Sequence, residues 1–110
     1  MEQYSIRITR QAREHLREIR RYIEKELLSP MAAKHTIAAI KTEMQSLSNM
    51  PHRIHLTPEE PWRASGVRRM RVKNYYIYFW IDEENRKVQI IGVIYVQRDQ
   101  ARQLEEMNLE

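Results

Sequence analysis

Cysteine is absent from the sequence, which excludes disulfide bonds, thiolate metal sites and a cysteine nucleophile and fits a reducing compartment. No apolar run approaches the roughly 18 residues of a membrane-spanning helix, and the first residues form no hydrophobic signal core. The four histidines, His15, His35, His52 and His55, have no metal-ligand spacing. We therefore expect a cytoplasmic protein without a membrane segment, a metal site or a cofactor.

Length and charge limit what the chain can be. At 110 residues and 13.4 kDa, residues 1–110 match the size of one domain with one core. Lysine and arginine total 19 against 15 acidic residues, giving a net charge of +4 and a sequence pI near 9.6. This balance suits an acidic partner without identifying one.

The first half of the chain predicts one strand and two helices. Residues 4–9 alternate apolar and polar side chains as a strand does, and Thr9 can cap the helix that follows. Ser29 and Pro30 are typical of the start of a second helix. Each helix carries an apolar stripe with spacings of four and three, which predicts an antiparallel hairpin that covers a sheet. The stripe residues are Ala12, Leu16, Ile19, Ile23 and Leu27 in the first helix and Ala33, Ile37, Ile40, Met44 and Leu47 in the second.

The arginines around the first helix favour a solvated face over a binding surface. Residues 49–66 lose all periodicity and contain three prolines, which predicts a long irregular loop. His52, Arg53, His55 and Trp62 in this loop are either substrate-side groups or, for Trp62, a plug that closes one end of the core.

Residues 67–81, VRRMRVKNYYIYFWI, place cations beside aromatic rings. A hairpin turning at Lys73 and Asn74 puts Arg69 and Arg71 on the side opposite Met70, and its second strand is rich in tyrosine. Guanidinium groups beside flat rings can grip phosphates and stack unpaired bases, at about 1 to 3 kcal/mol per stacked base. The alternative interpretation is an ordinary hairpin with a polar outer face, because aromatic residues are good strand formers.

The last third of the chain predicts a central strand and a short helix. An acidic turn, residues 82–85, has Asn85 at its end, a residue that tolerates the left-handed conformation. Residues 88–96 are almost continuously apolar, as in a strand buried on both faces, and Gly92 marks a bend or a close backbone approach within it. Residues 100–107 read as a short amphipathic helix that either packs on the sheet or is displaced.

The predicted fold is therefore α+β. An antiparallel three-stranded meander has the N-terminal strand at one edge, a two-helix hairpin on one face, and a short C-terminal helix. The other face, with Arg69, Arg71, Tyr76 and Tyr78, is expected to be open or half covered.

Five segments follow one another along nearly the whole chain: YSIRITRQA, IRRYIEKEL, SPMAA, GVRRMRVKNYYIYFWID and KVQIIGVIYVQRD. In their order and spacing, the chain resembles the RelE/ParE superfamily of toxins from bacterial type II toxin–antitoxin modules.

The resemblance implies a growth inhibitor neutralised by a cognate antitoxin in a hetero-oligomer. The RelE-like branch of the superfamily cuts mRNA on the ribosome without a metal, whereas the ParE-like branch lacks the catalytic groups and targets DNA gyrase. The first interpretation is a ribosome-dependent mRNA endoribonuclease, and the alternative is a gyrase inhibitor without catalysis. A third is a decayed member that binds only an antitoxin and operator DNA.

Four residues are the predicted catalytic set: Arg69, Arg71, Tyr76 and Arg98. The resemblance implies phosphate binding and charge stabilisation by the arginines. A predicted nucleic-acid-binding set surrounds them: Arg68, Lys73, Tyr78 and Tyr95.

Two departures from the RelE-like pattern are present. Tyr76 stands where that pattern has an arginine. Leu104 and a non-basic tail stand where it has a catalytic tyrosine or a histidine-tyrosine pair. A tyrosine on the sheet, Tyr76, Tyr78 or Tyr95, would have to act as the base, with a pKa lowered from about 10 by neighbouring arginines. His52 and His55 are more distant candidates for the acid.

Overall fold

The computed structural model describes residues 3–110 and contains the predicted elements in the predicted order. They are β1 (Ser5–Ile8), α1 (Arg10–Glu26), α2 (Pro30–Ser46), a 3-10 helical turn (Pro51–Arg53), β2 (Arg68–Val72), β3 (Tyr75–Asp82), β4 (Lys87–Tyr95) and α3 (Gln100–Glu105). No helix within residues 3–110 combines the length and the apolar character needed to cross a membrane.

The four strands form one sheet in the order β1-β4-β3-β2. Strands β2, β3 and β4 are an antiparallel meander, and β1 pairs in parallel with β4 as an edge strand. Strand β4 is interior to the sheet and nearly all its residues are buried. The register shifts by one residue between Tyr78 and Phe79, opposite Gly92 and Ile90. The predicted α+β fold is confirmed.

Two hydroxyl groups fix the starts of the long helices. Thr9 accepts a hydrogen bond from the backbone N–H of Ala12 at 3.2 Å, and its hydroxyl also donates to the carbonyl of Ile90 at 2.9 Å. Ser29 accepts from the N–H of Ala32 at 3.1 Å. Each hydroxyl satisfies an N–H that has no partner inside the helix. Both predicted caps are confirmed, and Thr9 also ties α1 to β4.

The helix hairpin covers one face of the sheet with the larger core. Its centre contains fully buried side chains from both helices and two strands, including Ile40, Met44, Ile77 and Phe79. Seven of the ten stripe residues belong to this core or pack against it, and Ile23 and Ala33 are buried outside it. Leu27, by contrast, is 61% exposed. The prediction for Leu27 is wrong because α1 ends at Glu26 and Leu28 turns the chain with a φ of 50°.

The opposite face carries a second, smaller core. Val67, Tyr78, Ile91, Ile94 and Leu104 are buried together there, with Trp62 and Met107 packed against them. Helix α3 supplies Leu104, and the irregular loop supplies Trp62. The centre of this face is therefore covered by the chain itself, and Trp62 packs as the plug that the sequence suggested.

The turn between β3 and β4 differs from the prediction in one residue. The left-handed residue is Arg86, with a φ of 53°, and not Asn85. Asn85 instead donates from its backbone N–H and its side-chain amide to the carboxylate of Asp82, at 3.2 and 2.9 Å. These bonds lower the pKa of Asp82 and hold Asn85 inside the turn, so the reversal of the chain passes to the next residue.

Candidate functional site

The predicted cations and phenols do share one side of the β2–β3 hairpin. In the antiparallel register Arg69 lies opposite Tyr78, and Arg71 lies opposite Tyr76. Directly opposed residues project from the same face of a sheet. We call the surface formed by these four residues the basic face. Its environment is uneven, because the second core covers one end of it.

Arg69 is held by contacts on two sides. Its guanidinium carbon lies 4.2 Å from the centre of the Tyr76 ring, and Nη1 is 3.5 Å from Oε2 of Glu59. The other carboxylate oxygen of Glu59 accepts a hydrogen bond from the buried hydroxyl of Thr57 at 2.5 Å. The cation therefore already has an aromatic ring and a carboxylate as partners, in a position where its side chain is only 23% exposed.

Tyr78 is buried, and its hydroxyl is engaged in a hydrogen bond within the protein. None of its surface is exposed, and its hydroxyl donates to Oε1 of Gln100 at 2.7 Å. Burial raises the pKa of Tyr78, and the neighbouring Arg69 only partly opposes that shift. The phenol stays protonated near neutral pH and has no free ring face for a nucleic-acid base.

Arg71 is the exposed cation of the basic face. Its Nε donates to the carbonyl of Lys73 at 3.0 Å, which leaves the rest of the guanidinium towards solvent. Tyr76 beside it is half-buried, with its ring 6.3 Å from that of Tyr78 and in contact with Arg69. The accessible part of the basic face is thus the corner at Arg71 and Tyr76.

Two predicted residues lie on the other side of the sheet. Arg68 pairs in register with Phe79 of the larger core, and its Nη1 donates to the carbonyls of Ile54 at 2.5 Å and His52 at 3.3 Å. Tyr95 lies opposite Tyr75, with 5.8 Å between ring centres. The structure does not bring Arg68 and Tyr95 together with the basic face, because successive strand residues alternate sides.

Lys73, Tyr95 and Arg98 line a separate groove between α1 and the end of β4. We call this space of about 1230 Å³ the hairpin groove; its α1 wall includes Tyr22. Burial raises the pKa of Tyr75, which also lines the groove, and the nearby phenols of Tyr95 and Tyr22 add to that shift. Apart from Arg68, which lies on neither, the predicted site residues are therefore divided between the basic face and the hairpin groove.

Side chains of α1 complete the edge of β4 beyond β1. Strand β1 pairs with β4 only as far as Ile90. The next backbone groups of β4 are bound by two side chains of α1, and the first of these, Gln11, donates to the carbonyl of Ile91 at 2.7 Å. His15 is the second. Nδ1 of His15 accepts from the N–H of Val93 at 3.1 Å. Burial lowers the pKa of His15, and Glu18 and Glu14 oppose the shift. The same Gln11 amide exchanges two hydrogen bonds of 3.0 Å with the backbone of Asn108, which fixes the C-terminal tail.

The distant acid candidate His52 is engaged elsewhere. Its Nε2 lies 2.5 Å from Oε1 of Glu83, beside the ring of Tyr4. Within residues 3–110, no group of three or more histidine and acidic side chains is arranged to hold a metal ion.

Sequence reasoning missed Glu59 and Gln100, the partners of Arg69 and Tyr78. Glu59 lies in a loop without periodicity, and Gln100 is the first residue of α3, a short helix whose own pattern does not predict where it packs. Arg69 and Glu59 are separated by ten positions, and Tyr78 and Gln100 by 22. The one local signal was composition, since a carboxylate in the loop directly before an arginine-rich strand is a plausible ion-pair partner.

Comparisons with known proteins agree with this architecture. The family model described as ParE toxin of type II toxin-antitoxin system, parDE, matches residues 6–100. A comparison with curated proteins finds no match.

Among solved structures, the chromosomal ParDE toxin–antitoxin system from P. aeruginosa is similar with a TM-score of 0.72 at 21% identity, covering 88% of this chain and 100% of that one. The toxin–antitoxin complex RelBE2 from Mycobacterium tuberculosis has a TM-score of 0.59 at 23% identity, covering 84% and 98%. A mutant of E. coli toxin RelE in the free state has a TM-score of 0.63 at 12% identity, covering 92% of each chain.

The three structural similarities establish a RelE-like fold. They establish no more than the fold, because fewer than a quarter of the residues are identical in each case. The family model spans most of the chain, from the middle of β1 to the start of α3. The chain therefore belongs to the family of ParE toxins of type II toxin–antitoxin systems.

Proposed function

We propose that this toxin arrests growth by binding its target without cutting RNA, and that the target is DNA gyrase in the cytoplasm. The observation that carries the proposal is the burial of Tyr78, whose hydroxyl is used by Gln100 and whose pKa is raised. The match to the ParE family model agrees with it.

Metal-free RNA cleavage needs a base for the ribose 2′-hydroxyl, cations for the phosphate and an acid for the leaving 5′-oxygen. Tyr78 cannot act as the base at neutral pH, and Arg69 is partly neutralised by Glu59. Tyr76 has one ring face under Arg69. The basic face therefore offers an exposed cation at Arg71, but its buried phenol is unable to take a proton and the phenol of Tyr76 is the one that remains beside Arg71.

A gyrase supercoiling assay with the purified toxin tests the proposal directly. Inhibition of supercoiling is expected, and unchanged supercoiling at a toxin concentration that arrests growth would contradict it. Arg71→Ala should abolish toxicity with the fold intact, because it removes the exposed cation of the basic face. Arg63→Ala, an exposed arginine of the loop, is the matched control.

The second candidate function is ribosome-dependent mRNA cleavage. The exposed cations Arg71, Lys73 and Arg98 favour it, since they can bind a polyanion. Toeprinting of translating ribosomes with added toxin decides between the two candidates: new mRNA ends at A-site codons would establish cleavage, and their absence together with gyrase inhibition would support binding alone.

We further propose that the cognate antitoxin covers the hairpin groove and the tip of the helix hairpin in a hetero-oligomer. The tip exposes large apolar side chains, with Leu28 82% and Met31 64% exposed. Apolar patches of this kind are typical of protein interfaces. Leu28→Glu should weaken capture of the toxin by its co-expressed antitoxin, whereas Met50→Glu, an exposed methionine away from the tip, should not.

A further inference from the structure

A row of arginines follows one flank of α1, on the side opposite the hairpin groove. Arg13, Arg17 and Arg20 recur at spacings of four and three, so they point to the same side of the helix. At about 1.5 Å per residue they extend over roughly 10 Å. All three are exposed.

These arginines form one wall of a cleft between the two long helices. The cleft has a volume of about 230 Å³, and Lys41 of α2 stands on the opposite wall. Ile8, Leu16 and Ile37 form its floor. We call it the arginine cleft.

Most of the cations around the cleft have no acidic partner. Arg20 pairs with Glu24 at 2.9 Å. For Arg13, Arg17 and Lys41, residues 3–110 provide no carboxylate within ion-pair distance. Concentrated positive charge of this kind attracts an anionic partner and raises its rate of association.

The apolar floor narrows the class of partner. A phosphate backbone needs cations but gains nothing from an apolar floor of isoleucine and leucine, since most nucleic-acid contacts are polar and go to phosphate. The volume is below the roughly 300 to 1,000 Å³ typical of small-molecule sites. An apolar centre with a charged rim is instead the usual anatomy of a protein interface.

We propose that the arginine cleft docks an acidic, amphipathic segment of a partner protein. One apolar side chain of the segment rests on Ile8, Leu16 and Ile37, and carboxylates on either side bind the arginines of α1 and Lys41. Arginine suits this role because its planar fork binds carboxylates through two parallel hydrogen bonds. The proposal is independent of the identity of the toxin's cellular target.

The test uses the full-length toxin and a fluorescent peptide of about 15 residues, long enough to form a helix on binding. The peptide carries leucines on one face and glutamates beside them. A second peptide has the same charge but serine in place of leucine, and a short oligothymidylate supplies phosphates without an apolar anchor. Fluorescence anisotropy measures all three.

Two double variants distinguish binding at the arginine cleft from attraction by the overall positive charge of the protein. Arg17→Glu with Lys41→Glu reverses charge on both walls, and Lys25→Glu with Arg63→Glu makes the same change outside the cleft. Each pair replaces two cations by two anions, so both lower the net charge from +4 to about zero. Thermal unfolding by circular dichroism verifies that both remain folded.

The leucine peptide should bind the unmodified toxin and lose at least about tenfold in affinity, or about 1.4 kcal/mol, with the cleft variant. The control variant should stay within about twofold, and the serine peptide should bind at least about tenfold more weakly than the leucine peptide. Absence of leucine-peptide binding, equal losses with both variants, or equal binding of both peptides would overturn the proposal. Tighter, cleft-dependent binding of the oligothymidylate would replace it with a nucleic-acid surface.

Discussion

The two faces of the sheet are covered by segments of very different length. Helices α1 and α2, of 17 residues each, cover one face with the larger core. The opposite face is covered by the six residues of α3 and by Trp62 from the irregular loop. We expect the first cover to provide most of the stability, because it buries the larger core. The second cover limits which part of the basic face stays accessible.

The largest expected effect comes from the helix-covered face. Phe79→Ala removes a fully buried ring between the sheet and both helices. Truncation of a core phenylalanine costs about 3 to 5 kcal/mol, through lost burial and the cavity left behind. Urea unfolding should show this as a lower midpoint for the whole protein, and a loss below about 1 kcal/mol would mean that the larger core does not dominate.

Leu104→Ala makes the equivalent change in the smaller core. It should cost less, about 2 to 3 kcal/mol, because a six-residue helix can detach while the sheet remains folded. Hydrogen exchange should reveal loss of protection in α3 and Trp62 with the protection of β3 and β4 retained. Equal loss of protection throughout would show that both covers unfold as one unit.

The contrast between the faces also explains how much could be predicted from the sequence. The helix-covered face follows from local rules, since apolar residues repeat every three or four positions and Thr9 and Ser29 cap the helices. The exception, Leu27, continues the repeat past the end of the helix. Periodicity states which residues share a side, but not where the chain turns away.

The basic face could be predicted only in part. Alternation correctly placed Arg69 and Arg71 on one side with Tyr76 and Tyr78. Their partners come from segments whose position on the sheet no local pattern predicts: Glu59 from the irregular loop and Gln100 from the start of α3. The neutralisation of Arg69 and the burial of Tyr78 therefore depend on how the loop and the tail fold back. The same alternation, applied strictly, separates Arg68 from Arg69.

Tyr78→Phe tests the smaller core at a single atom, the hydroxyl oxygen of Tyr78. The substitution removes the hydroxyl that donates to Gln100 but keeps the buried ring, so the cost should be about 1 kcal/mol. The amide of Gln100 keeps its donors on the carbonyls of Tyr95 and Arg98, at 2.9 and 2.8 Å. Toxicity should be retained, because the hydroxyl is structural.

Growth arrest on induction measures whether the Tyr78→Phe protein is still toxic. Tyr76→Phe is the matched control, since it removes the phenol hydroxyl at the accessible corner of the basic face. A folded Tyr78→Phe protein that no longer arrests growth would assign the hydroxyl a chemical role. It would also favour RNA cleavage over gyrase binding, since a phenol is required only where a proton moves or a hydroxyl is recognised.

The smallest effect is expected at the junction of the two faces, where His15 completes the edge of β4. Burial lowers the folded-state pKa of His15 below its ordinary 6.5, and its Nδ1 must stay unprotonated to accept from Val93. Just below that pH the unfolded chain binds more protons than the folded one, so the contribution of His15 to stability is full above about pH 6.5 and is lost as the pH falls through the folded-state value.

His15→Gln separates this titration from acid effects elsewhere. A glutamine oxygen can still accept from Val93 but does not titrate, so the variant should lose less stability than the unmodified protein between about pH 7.5 and about pH 5.5. Urea midpoints at the two values measure the difference. Identical losses would mean that Glu14 and Glu18, which favour the protonated imidazole, cancel the effect of burial, and that the junction contributes nothing to the acid sensitivity of the fold.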